Sequence, residues 1–314
     1  MKRGILLVNL GTPESPTPAA VKSYLAEFLS DRRVITWPRL IWLPILHGIV
    51  LNVRPKKSAI LYSKIWQIEG SPLWIYTKKQ AELLQERMPD TLVRFAMTYG
   101  KQKIHETILE MKTAGMTELF VLPMYPQYSE TTVAPICDQI AQVYRHSADI
   151  PHLKISSSFY DRAEYILLLS TYIKKKLAQQ KYDMILFSYH GVPVSTIERG
   201  DPYEEQCQIT TKKVMEKVGD FPYTHTYQSK FGPSQWLTPM TCETLKAFPS
   251  QDIKSVLVIT PGFVADCLET IEEIDEENRN YFIENGGECF DYIRPFNEDT
   301  AFTDVLHSIV NVNK

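Results

Sequence analysis

Short runs of apolar residues recur along the chain, each about the length of a buried strand and each followed by a longer stretch with helical spacing. They predict strands over 4–10, 92–98, 117–122, 152–157, 183–189, 222–228, 254–260 and 288–293. Helical periodicity predicts helices over 16–29, 56–66, 73–87, 102–114, 129–145, 162–179, 205–217, 240–247, 267–284 and 298–312. This alternation is the signature of an α/β fold with largely parallel sheets, right-handed crossovers placing helices on both faces. One eight-stranded sheet would satisfy the pattern. Two four-stranded halves suit the length better: a domain over 1–160 and a second over 161–314, with the last helix packing back on the first domain.

The predicted strands end in a shared style. Asn9-Leu10-Gly11-Thr12-Pro13, Tyr99-Gly100, Pro123-Met124-Tyr125-Pro126-Gln127-Tyr128, Ser188-Tyr189-His190-Gly191, Gln228-Ser229-Lys230-Phe231-Gly232 and Pro261-Gly262-Phe263 all follow apolar runs. Gly and Pro are expected at any turn. The added Tyr, Gln, Lys and His point to one polar, aromatic cleft, where open α/β sheets place ligands.

Composition then narrows the chemistry. A net charge of −3 over 314 residues gives no reason to expect nucleic acid. The five cysteines form no C-x-x-C pair, which fits free thiols in a reducing cytosol better than disulfides or a thiolate zinc site. The apolar run at the amino terminus breaks at Asn9 and Pro13, so it reads as a first strand rather than a signal peptide, and a cytoplasmic location is expected. No phosphate loop, dinucleotide fingerprint, nucleophile elbow or H-E-x-x-H motif is present.

Residues 40–53 form an uncharged stretch of 14 residues, interrupted by Pro44 and Gly48. That is short of the roughly 20 residues that span a bilayer. Arg32, Arg33, Arg39, Arg54, Lys56 and Lys57 flank it, and Trp37 and Trp42 suit an interfacial position. Two readings stand: a core helix with a basic cap, or an apolar lip that touches a bilayer or admits a greasy anionic ligand.

Two features concentrate titratable groups. His190 ends a predicted strand, where a histidine is more often a structural residue than a catalyst. Asp266 opens an acidic helix, and its spacing to Glu269 is that of a capping box. Capping does not account for Asp266, Glu269, Glu273 and Glu276 together, whose 3, 4, 3 spacing predicts a carboxylate row along one α-helical face. Such a row suits transient cation handling or proton relay, not a closed structural zinc site.

Ser188-Tyr189-His190-Gly191-Val192-Pro193, Arg199-Gly200-Asp201-Pro202-Tyr203, Tyr227-Gln228-Ser229-Lys230-Phe231-Gly232, Trp236-Leu237-Thr238-Pro239 and Asp266-Cys267-Leu268-Glu269-Thr270 together resemble ferrochelatase, in the form found in Gram-negative bacteria. The likeness runs the length of the chain, in order. It implies two Rossmann-like, chelatase-type domains, each a four-stranded mainly parallel sheet flanked by helices, with the active-site cleft between them. It implies ferrous iron insertion into a porphyrin, protoporphyrin IX being expected, with loss of two pyrrole protons as the terminal step of haem biosynthesis.

The same resemblance makes His190 and Glu269 the metal-site pair; Glu273 and Asp266, on the same acidic segment, are expected to act as relay. It places Arg54, Tyr62, Leu10, Tyr125 and Ser129 against the porphyrin. Cys267 stands where many relatives have histidine. Some members carry a carboxyl-terminal cysteine cluster for a [2Fe-2S] centre; the last cysteine here is Cys289, so no cluster and no permanently bound cofactor are expected, Fe²⁺ being substrate. The lip adds an expected peripheral contact with the inner membrane. The alternatives are a related cobalt or nickel tetrapyrrole chelatase, which should need a more polar cleft mouth, and a non-catalytic haem or tetrapyrrole carrier, which would not need the acidic row.

Overall fold

Eight strands assemble into two four-stranded sheets, and every neighbouring pair runs parallel. In the computed structural model, which describes residues 2–311, the first sheet contains β1 (Arg3–Thr12), β2 (Leu92–Gly100), β3 (Glu118–Pro123) and β4 (His152–Ile155). The second contains β5 (Met184–His190), β6 (Tyr223–Gln228), β7 (Ser255–Ile259) and β8 (Cys289–Ile293). Each predicted strand is present within a few residues of its expected bounds. Parallel pairing explains their legibility: helices cover both faces, so the strands read as continuous apolar runs. Ile5 through Val8 and Ile185 through Phe187 are fully buried.

The two sheets have the same strand order, β2-β1-β3-β4 and β6-β5-β7-β8. In each, the chain leaves the central strand to one side and then crosses to the other. The direction of winding therefore reverses between β1 and β3, and again between β5 and β7. At such switch points the connections leave in opposite directions and open a crevice beyond the carboxyl ends of the strands.

The chain divides into two compact units. One comprises the chain through Tyr125, Ser129–Ser158 and the segment from Asn297 onward; the other comprises Pro126–Tyr128 and Phe159–Phe296. In the first, Leu6, Val8 and Val121 pack under helices Ile104–Thr113 and Val133–Tyr144, and a second cluster joins Val21, Leu25, Trp42, Leu46 and Tyr99. In the second, Leu186, Val256 and Val258 pack with Ile274, Phe282 and Phe290.

One predicted boundary differs. The helix expected over 56–66 begins far earlier: helix Arg39–Ile45, a π-helical turn Leu46–Val50 and helix Leu51–Ile65 follow without interruption. Pro44 and Gly48 look like breakers in sequence. Pro44 lies inside the first helix and Gly48 in the wider i→i+5 turn, and the Asn52 side-chain amide donates to the carbonyls of His47 and Gly48, both at 3.0 Å. The stretch is buried on one side and exposed on the other. Trp42, Leu46 and Leu51 are buried, whereas Leu40 is 93% exposed and Ile41, Ile49, Val53 and Ile60 are also turned outward. No helix among the described residues is long and apolar enough to cross a membrane.

Burial also sets a pH dependence. His225 on β6 stacks on Tyr189 (4.7 Å between centroids) and meets the Tyr227 ring edge-on. Its Nδ1 bonds the Thr211 hydroxyl at 3.0 Å, and burial holds its pKa down at about 4. The imidazole ionises near 6.5 when unfolded, so the folded state resists protonation and loses stability as pH falls from about 6.5 toward 4. The full loss is on the order of 3 kcal/mol. Urea titrations at pH 7.5 and 5 should show a destabilisation on acidification that His225→Phe reduces; an undiminished slope in the variant would refute the assignment.

Candidate active site

His190 is the last residue of β5, half-buried beside the switch point of its sheet. Three contacts fix it. Its backbone carbonyl accepts the Tyr203 hydroxyl at 2.9 Å, its ring lies 6.5 Å from the Phe263 ring, and its Nδ1 is 2.7 Å from the Gly191 carbonyl. A carbonyl only accepts, so Nδ1 carries the proton. In the neutral ring that leaves the lone pair on Nε2.

Gly191 lets two pieces of backbone meet. Its N–H donates to the Gln228 carbonyl at 2.8 Å, and a Cβ at this position would stand 2.9 Å from that oxygen and 3.1 Å from the Trp236 ring. The Trp236 segment is bridged to the residues after Gly191, with Val194 N–H to the Gln235 carbonyl at 2.9 Å and Leu237 N–H to the Val192 carbonyl at 3.1 Å.

The acidic helix follows β7 through the Pro261-Gly262-Phe263 turn. Its first ten residues, Glu269–Asn278, are π-helical, and an α-helix, Arg279–Glu284, continues it. The carboxylate row expected from α spacing is therefore broken up. Asp266 precedes the helix and is 1% exposed; Glu276 is exposed to solvent. The expected capping box also takes a different form. Thr270, not Glu269, reaches back to the Cys267 N–H (2.9 Å), and its hydroxyl donates to Asp266 Oδ1 (2.8 Å). The Glu269 carboxylate lies beside the Cys267 thiol, whose pKa is pushed far up by burial and then by Glu269.

Glu273 is held from β6. Its Oε1 accepts the Ser229 N–H at 2.7 Å and its Oε2 the Ser229 hydroxyl at 2.5 Å, while the Gln228 amide donates to Oε2 at 3.4 Å and to the Glu269 carbonyl at 3.1 Å. Ser229 adopts φ 66°, a left-handed conformation that aims both of its donors at one carboxylate. Burial pushes the Glu273 carboxyl above the usual carboxylate range; the Ser229 hydroxyl and His190 oppose the shift, and Glu269 adds to it. His190, Glu269 and Glu273 are thus electrostatic neighbours. Gln228, Ser229 and Trp236 belong to this constellation without having been singled out from sequence, although Gln228 and Ser229 carry the polar strand-end signal.

The residues expected to contact porphyrin in the first unit fall into two groups. Leu10 near the end of β1 and Tyr62 on helix Leu51–Ile65 flank one apolar cluster, and Arg54 lies on the same helix two turns before Tyr62. Tyr125 packs against the other cluster. Ser129 is buried, its hydroxyl accepting the Thr131 N–H at 3.2 Å and bonding the Thr131 hydroxyl at 3.0 Å, so it builds the turn into helix Val133–Tyr144. Among the described residues no three His, Cys, Asp or Glu side chains are grouped so as to hold a metal ion.

The fold matches solved chelatases. SirB from Bacillus subtilis with Fe³⁺ aligns over 100% of this chain and 97% of its own with a TM-score of 0.58 at 10% identity, and CbiX, the terminal enzyme of sirohaem biosynthesis in denitrifying bacteria, over 98% and 99% with 0.51 at 11%. At such identities the likeness concerns architecture alone. The ferrochelatase family model matches residues 2–314. The coproporphyrin III ferrochelatase of Enterococcus faecalis is 49% identical over 99% of this chain and all of its own, and the ferrochelatase of Pectobacterium atrosepticum 43% over 98% of each. The chain belongs to the ferrochelatase family, metal-chelating lyases that insert iron into porphyrin in haem biosynthesis.

Placing a methyl group at Gly191 forces the β5 and β6 ends apart. Gly191→Ala should lower porphyrin metallation more than tenfold, since misplacement by about 1 Å can cost on the order of 100-fold. Normal turnover in a steady-state fluorescence assay would show that this close approach is dispensable.

Proposed function

We propose that metal insertion is carried out by His190, Glu269 and Glu273. What supports this reading is the grouping of the three at the β5–β7 switch point, with a His190 ring whose Nδ1 is committed to the Gly191 carbonyl and whose Nε2 is not. Metallation exchanges two pyrrole protons for one Fe²⁺, so a site must supply a ligand and a proton acceptor together. His190 Nε2 and the Glu269 carboxylate suit a borderline cation. Glu273, with its raised pKa, can take a proton at a pH where an ordinary glutamate would not. Asp266 contributes by holding Thr270 and the start of the helix.

Arg54, Tyr62, Leu10 and Tyr125 are proposed to bind porphyrin, Arg54 through a propionate and the others through the macrocycle face; Ser129 would support them from its turn. Binding energy away from the nitrogens can offset the cost of bending the ring to expose its lone pairs. For the substrate we favour coproporphyrin III, the porphyrin named for the Enterococcus and Lactococcus relatives, over the protoporphyrin IX expected from sequence. The exposed apolar side chains of the 39–65 helix favour protoporphyrin as the second reading. Iron would then enter before two propionates become vinyls in the first case, and as the last step in the second.

Anaerobic incubation with Fe²⁺ and each porphyrin, followed by loss of porphyrin fluorescence, tests both levels. Turnover is expected, with the higher kcat/KM for coproporphyrin III. No metallation of either would refute the assignment, and a preference for protoporphyrin IX would reverse the substrate choice. His190→Ala and Glu269→Gln should each lower kcat at least 100-fold; a near-normal rate in a folded variant removes that residue from the chemistry.

The lip is further proposed to make peripheral contact with an anionic bilayer, given exposed Leu40, Ile41, Ile49, Val53 and Ile60 beside Arg32, Lys56 and Lys57. Co-sedimentation with phosphatidylglycerol vesicles should fall on Leu40→Ser/Ile49→Ser substitution and at high salt. Equal pelleting of the variant would exclude the lip.

A further inference from the structure

Arg294 follows the last strand of its sheet and touches neither Glu269 nor Glu273 in any described contact, yet it spans the segment that carries both. Its guanidinium is 2.9 Å from Asp275 Oδ2, in the middle of the π-helical stretch, and 3.9 Å from Oδ2 of Asp266, in the turn before it. Asp275 is gripped from a second side, its Oδ1 accepting from Arg279 and its carbonyl from Arg279 Nε at 3.0 Å. Arg279 in turn donates to the Phe290 carbonyl on β8.

A ten-residue π-helix is unusual, because the wide turn packs its own backbone poorly and is seldom longer than one turn. Side chains support this one from outside. Besides the two arginines, the Asn278 amide donates to the Glu273 carbonyl at 2.7 Å. The register of the stretch decides where Glu269 and Glu273 point relative to each other, since residues four apart are displaced differently around an α-turn and a π-turn. Asp266 and Asp275 bracket both glutamates.

We propose that Arg294 is a positioning residue for metal insertion: by bridging Asp266 and Asp275 it fixes the π-turned segment and thereby the mutual placement of Glu269 and Glu273. This rests on the reading of those glutamates given above. The Arg294 side chain is 56% exposed, so its pair with Asp275 contributes little to global stability, and the buried Asp266 carboxylate keeps the Thr270 hydroxyl when Arg294 is removed.

Steady-state metallation with coproporphyrin III and Fe²⁺, alongside thermal melts, tests this. Arg294→Ala should lower kcat about tenfold, within the range expected for misplaced groups, with the porphyrin KM within about twofold and the melting temperature nearly unchanged. Arg294→Lys, which keeps one charge near Asp275, should recover most of the loss. Combining Arg294→Ala with Asp275→Asn should cost no more than the worse single change, because both remove one contact. Wild-type kcat in Arg294→Ala, a loss confined to KM, or a lysine variant as poor as alanine would overturn the proposal. An unmutated chain that metallates no porphyrin would instead refute the functional reading beneath it.

Discussion

At the end of β6 one side-chain amide ties the strand that carries His190 to the acidic helix. Gln228 Oε1 accepts the Ser188 hydroxyl at 2.8 Å, from the strand that ends in His190, while its Nε2 reaches the acidic helix at the Glu269 carbonyl and Glu273 carboxylate. Ser188 continues the chain to Thr241, and Thr241 to Thr226, each at 2.8 Å. Gln228, Ser188, Thr226 and Thr241 are all buried. A buried polar group left unpaired costs about 1–3 kcal/mol, so the network holds only if β5, β6 and the helix after β7 keep one relative placement. Satisfying the buried amide and placing the histidine and two glutamates are the same geometric requirement.

That requirement can be met only where parallel strands end. Inside the sheets both faces are covered, and Phe187, Val258 and Leu257 leave no room for a charge. The two sheets repeat one topology with different outcomes. Leu10-Gly11-Thr12-Pro13 stands at the end of β1 as His190-Gly191-Val192-Pro193 stands at the end of β5. In each, the glycine admits a carbonyl from the neighbouring strand: at Gly11, φ 116°, a Cβ would lie 1.9 Å from the Tyr99 oxygen, a closer approach than at Gly191. The difference is the residue before the glycine, apolar Leu10 in one and titratable His190 in the other.

The acidic helix shows how local rules and tertiary demands part company. Asp266 and Glu269 have capping-box spacing, but the cap is made by Thr270, and Glu269 is released toward Cys267. The 3, 4, 3 row read from α periodicity is not formed: Asp266 lies buried in the turn before the helix, and Glu276, within the π-helical turns, is left in solvent. The 39–65 helix makes the same point in the other unit, where a π-turn and the Asn52 amide carry a helix through residues that ordinarily end one.

By itself the sequence determined the α/β alternation, the eight strands, and the presence of His190 and an acidic helix at strand ends, because apolar periodicity and strand-end chemistry are local and survive without knowledge of neighbours. The motifs that identify the family are likewise local. Only the tertiary structure decided that Ser229 and Gln228 hold Glu273 and the Glu269 backbone, and which ring nitrogen of His190 faces the Gly191 carbonyl. Those outcomes depend on hydrogen bonds between segments some 40 residues apart, Ser188 to Gln228 and Gln228 to Glu269, and on a helical winding that tertiary contacts, not propensity, impose.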